Sequence, residues 1–127
     1  MTWKDVVALE AESAEPGAVG AEPFGDDAVL SCTYAVAPGA EGGGDFVRGG
    51  TLARDVSVEV ARALAASPAA TRSCATSSDR YVVLQPVRGG REVYVELAGC
   101  RRVLVPRDGG PPLLAEAEPA LVRLLTG

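Results

Sequence analysis

Apolar and polar positions alternate from Ala28 to Val36, setting Leu30, Cys32, Tyr34 and Val36 on one side and Ser31, Thr33 and Ala35 on the other. A period of two is the pattern of a half-buried strand. Pro38-Gly39 and the run Glu41-Gly42-Gly43-Gly44-Asp45 interrupt it. Phe46 to Leu52 then resumes as a weaker strand carrying Gly49-Gly50, the mark of a bulge, and the two predict a hairpin. The period changes next: Val56, Val60 and Leu64 recur at i, i+4 and i+8. That spacing predicts a helix from Val56 to Ala66, capped by Asp55 or Ser57 and stopped by Ser67-Pro68.

Tyr81 to Ala98 is the clearest hairpin. With Gly89-Gly90 as a two-residue turn, Leu84 faces Val95, Pro86 faces Val93 and Val82 faces Leu97, so one face is wholly apolar. The reverse face sets Tyr81, Val83, Gln85 and Val87 against Ala98, Glu96, Tyr94 and Glu92, the mixed character of a solvated side. A short strand from Val103 to Val105 ends at Pro106 and a turn at Asp108-Gly109-Gly110-Pro111-Pro112. Glu116 to Leu125 reads as a helix, with Pro119 tolerated in its first turn and Leu121, Leu124 and Leu125 inward. The order β-β-α-β-β-(β)-α predicts an α+β fold, an antiparallel sheet of four to five strands covered on one face by two helices.

Charge divides the chain. Residues 1–27 hold Lys4 against seven acids, a balance of −6, while the remainder is nearly neutral and accounts for little of the net −5. Pro16-Gly17 and Pro23 fall in that acidic stretch and break helix and strand alike. Residues 1–27 therefore read as an acidic N-terminal arm or linker, and residues 28–127 as a single domain. The acidic balance argues against a grip on nucleic acid, which needs excess Lys and Arg. The longest early apolar run, Val6 to Leu9, ends at Glu10, short of a signal-peptide core, and no run suits membrane insertion.

The chain contains no His. That removes the commonest general base and the ordinary Ser and Cys triads, and the expectation is no enzyme, no catalytic residues and no cofactor. With three Cys, no His and no C-x-x-C pair, a zinc site lacks ligands, so no metal is expected. The Glu41 to Asp45 run lacks the Gly-Lys-Ser/Thr ending of a phosphate loop. Cys32 sits on a strand's apolar face, where a lone Cys is a small hydrophobe. Cys74 and Cys100 bracket the strong hairpin, and their spacing suits a disulfide; two reduced thiols in a cytosolic protein is the alternative. Arg101, Arg102 and Arg107 form a candidate basic patch for an acidic partner or for the acidic arm.

The segments Leu30-Ser31-Cys32-Thr33-Tyr34, Ser73-Cys74, Arg91-Glu92-Val93-Tyr94-Val95, Gly99-Cys100, Asp108-Gly109 and Leu121 to Leu125 resemble a recurrent uncharacterised domain of actinobacterial exported proteins and lipoproteins, over residues 28–127. The resemblance implies a disulfide-containing exported module. The chain is also similar to the Streptomyces subtilisin inhibitor-like family, in which a hairpin bracketed by a disulfide follows two strands and a helix. That similarity implies a protease-contact loop at Ala75, Thr76, Ser77 and Ser78.

The reading that follows is a non-enzymatic binding or adaptor module of an exported or envelope-associated protein, with an unidentified protein partner; the alternative is a protease inhibitor using the loop after Cys74. Its address is extracellular or in the cell envelope, or cytoplasmic if no leader precedes the chain. Alkylation without reductant should label one thiol per chain, and after reduction three. Three labels in protein made under oxidising conditions would remove the bridge.

Overall fold

The computed structural model describes residues 14–20, 24, 27–35, 45–70, 79–89, 92–107 and 111–126. In chain order its elements are β1 (Glu15–Pro16), β2 (Val29–Ala35), β3 (Asp45–Thr51), α1 (Arg54–Ala65), β4 (Arg80–Pro86), β5 (Val93–Glu96), β6 (Arg102–Val105), β7 (Leu113–Glu116) and α2 (Pro119–Thr126). The strands make one seven-stranded sheet, ordered β1-β7-β6-β5-β4-β2-β3. All its pairings are antiparallel except β1 with β7.

The chain is thus predominantly β, with a mixed sheet and two short helices, and the expected α+β layout of four to five antiparallel strands under helices on one face is overturned. Two strands make the difference. β1 falls where Pro16 argued for a linker, yet Glu15 N–H donates to Pro112 O at 2.8 Å and Gly17 N–H to Leu114 O at 2.9 Å, so the strand needs no donor from the proline. β7 lacks alternation and is built of Leu, Ala and Glu, good helix formers that drew the predicted helix back to Glu116. Pairing along β6, from Arg102 with Glu116 to Val105 with Leu113, overrides that preference. Pro119 then opens α2 as its first residue, where its missing N–H costs nothing.

The central hairpin keeps its faces but not its register. Leu84 opposes Val93 and Val82 opposes Val95, two residues from the expected pairing, because the connection between Pro86 and Val93 is longer than a tight turn. A slip of two leaves every side chain on its own side of the pleat. Val82, Leu84, Val93 and Val95 therefore still converge, and they join Val60 and Leu64 of α1, Leu121 and Leu125 of α2, Val103 and Ala115 in the main core. Neither Asp55 nor Ser57 caps α1. Ala53 stands at the cap without a side-chain bond, and Asp55 lies in the first turn, where a carboxylate suits the helix dipole. Buried Ser67 links the helices: its hydroxyl donates to Ala63 O at 3.1 Å and accepts from Glu118 N–H at 3.2 Å.

The reverse face, expected to be solvated, is buried as well. Tyr81, Tyr94 and Leu104 form a second cluster, with Ala14, Tyr34, Val83 and Leu114 packed against it. The described part of the acidic arm also belongs to the fold. Phe24 is buried in the main core, Val19 packs against it, and Arg107 Nη2 meets Glu15 Oε2 at 2.8 Å. These anchors differ in strength. Phe24→Ala should cost about 3–5 kcal/mol in urea unfolding, whereas Glu15→Ala should cost under about 1 kcal/mol because that pair is half in water. Equal effects would show that the arm is held by charge.

Candidate functional site

β3 ends the sheet, and among the described residues it pairs with β2 alone. All its residues are exposed, including Phe46 at 62% and Val47 at 44%. The register runs Thr33 with Arg48 and then Tyr34 with Phe46, so Val47 is the extra residue of a bulge. The bulge brings Phe46 and Gly49 to one side. A Cβ on Gly49 would stand 3.0 Å from the Phe46 ring and 3.1 Å from Cys32 Sγ, so the aromatic ring covers the glycine. Phe46 also meets Tyr34 edge-on at 5.9 Å, and Tyr34 stacks on Tyr81 at 5.2 Å, forming an aromatic row across β3, β2 and β4.

On the other side of β2 and β3, a cleft of about 250 Å³ opens against α2. Strand pairing sets Ser31 beside Gly50 and Thr33 beside Arg48, and these four form the floor and one wall. Leu52, Leu124 and Leu125 supply apolar surface. Arg48 Nη2 donates to Leu125 O at 3.3 Å, so a cation stands at the carbonyl end of the helix. Thr33 is 4% exposed, and its hydroxyl makes no hydrogen bond among the described residues. A Cβ on Gly50 would meet nothing within 4 Å, so the missing side chain keeps the cleft open toward the sheet edge.

The most constrained charges lie elsewhere. Glu96 and Arg102 are buried together: Arg102 Nε donates to Glu96 Oε1 at 2.6 Å, its Nη2 to Oε2 at 2.9 Å and its backbone N–H to Oε1 at 2.9 Å. This is a forked, charge-assisted pair. Nearby, Tyr94 donates to Glu92 Oε2 at 2.6 Å. Burial first, then that bond and the Glu92 charge, push the Tyr94 phenol well above its ordinary 10. Tyr34 is raised too, by burial first and then by the charges of Cys32, Tyr81 and Glu92.

The residues singled out in the sequence scatter. Cys100 is disulfide-bonded and half-buried Cys32 is a free thiol; Cys74, Ala75, Thr76, Ser77 and Ser78 lie outside the described residues. Arg101, Arg102 and Arg107 do not share a surface role. Arg101 is half-buried at φ 50°, Arg102 turns inward onto Glu96, and Arg107 donates to Pro111 O and to Glu15. Arg48, Ser31 and Thr33 were not singled out, although the alternation of β2 already places Ser31 and Thr33 on one face. Among the described residues, no group of three or more His, Cys, Asp or Glu is placed to hold a metal. No helix among them is long and apolar enough to cross a membrane.

Two outcomes follow from the buried charges and phenols. Glu96→Leu alone should cost about 3–5 kcal/mol by removing the carboxylate that the buried Arg102 guanidinium grips, and Arg102→Leu added to it should recover part of that loss in a double-mutant cycle. A phenol held above its unfolded value stabilises the fold fully below about pH 10, and that contribution is lost as pH rises from there through the folded value. Unfolding free energy should therefore fall above about pH 10, less steeply in Tyr94→Phe; a rise there would contradict the assigned shifts. No protein-family model, curated protein or solved structure matches this chain.

Proposed function

We propose that the protein is a binding module that takes an extended segment of a protein partner onto the outer edge of β3. One observation carries this reading: a bulged edge strand, exposed along its whole length, presents Phe46 and Val47 to solvent. An edge strand offers a row of backbone donors and acceptors that an added strand satisfies, while alternate side-chain contacts supply selectivity. Phe46 is fixed from below by Tyr34 and Gly49, so it is an ordered apolar contact rather than a loose side chain. The absence of His from the chain supports binding rather than acid-base catalysis.

An exported or envelope address belongs to the same reading. Its support is the Cys100 disulfide, since such bonds persist in oxidising compartments, and Cys74 is the proposed partner of Cys100. The test is selection of displayed random heptapeptides on the full chain. Selected sequences should be rich in β-branched and aromatic residues and should lose binding when alternate amides are N-methylated. Val47→Lys should weaken them about tenfold or more, since an edge lysine blunts strand addition. Selected peptides indifferent to both changes would refute strand addition.

A further inference from the structure

We infer that the cleft between β3 and α2 receives a carboxylate carried by the extended peptide that β3 accepts. The inference rests on the strand-accepting reading for how the carboxylate arrives, and on the cleft itself for how it is held. Arg48 is the sole charged side chain among the described residues lining the cleft, and its guanidinium donates from Nη2 to Leu125 O. The remaining guanidinium N–H groups keep the fork that matches a carboxylate. The carbonyl end of α2 opposes an anion, but with a partial charge of about −0.5 against the full charge of Arg48, the cation prevails.

The floor supplies the second contact. Thr33 is almost wholly shielded from solvent, lines the cleft, and its hydroxyl has no hydrogen-bond partner among the described residues. A buried hydroxyl without a partner is costly, and an anion within reach would satisfy it. Ser31, half-buried beside Thr33, adds another hydroxyl donor. Gly50 provides the way in: a side chain reaching from a strand laid along β3 crosses the edge where no Cβ obstructs it. Leu52 and Leu124 then face the aliphatic part of the guest. The carboxylate has two possible sources, a chain terminus or an Asp or Glu side chain.

The test is an amide-resolved NMR titration of the full chain with four probes: N-acetyl-Val-Leu as the free acid, the same dipeptide as its amide, N-acetyl-Val-Glu-amide, and a neutral extended peptide capped at both ends. The free acid should shift the Ser31, Thr33 and Gly50 amides saturably, and its amide should not. Arg48→Gln should weaken binding at least about tenfold, with Arg48→Lys restoring only part because it lacks the fork. Gly50→Leu, whose Cβ has open space, should keep the fold and fill the cleft, abolishing the shifts. Binding of the glutamate probe supports the inference and assigns a side-chain source, whereas binding of the free acid alone supports it and assigns a terminus.

Equal shifts from acid and amide, or undiminished affinity in Arg48→Gln, overturn the carboxylate site. If the neutral peptide still shifts the β3 amides in that case, strand addition stands without the cleft. If the free acid binds but the neutral peptide leaves β3 unmoved, the cleft stands and strand addition fails.

Discussion

Burial of both faces of the central strands is the constraint from which the rest of the architecture follows. Val82, Leu84, Val93 and Val95 fill the main core, while Tyr81, Tyr94 and Leu104 fill the second cluster on the opposite side. Alternate positions are thereby committed in both directions, so a one-residue slip would exchange two differently built interiors. Glu96 is the difficult member, a carboxylate fully withdrawn from water at the end of β5. The forked contact with Arg102 across the turn offsets that desolvation and couples the end of β5 to the start of β6.

This constraint explains which features were legible in the sequence. Period-two and period-four patterns located β2, β4, β5 and α1, because local alternation and core burial agree there. The partition of the central hairpin survived an error in register, since a displacement of two conserves the faces. What failed was the assignment of the reverse side to solvent. Tyrosines interleaved with glutamates look like a wet surface, yet their rings are covered and Glu96 is neutralised by a partner six positions away. β7 and β1 were illegible for a different reason: each is specified by a distant neighbour rather than by its own composition.

The candidate site shows the same division. Gly49-Gly50 marked an irregular strand, but the irregularity proper is at Val47, and the two glycines have unlike roles: one lies beneath a ring and the other borders open space. Ser31 and Thr33 looked like the outer side of β2, whereas pairing with β4 turns them toward the helices beside Leu84 and Val82. The three arginines near the C-terminal turn read as a patch because they are close in sequence. Alternation sends Arg102 inward, and Arg107 is claimed by Glu15. Arg48, isolated among glycines and an exposed valine, carried no local signal.

The bulge in β3 has a consequence for crowding. A flat, regular border would template endless stacking of identical chains into fibrils. The extra residue at Val47 breaks the pairing geometry and increases local twist, so two such borders cannot zip along their length. The kink thus guards against runaway polymerisation, at a place where the fold would otherwise be most prone to it.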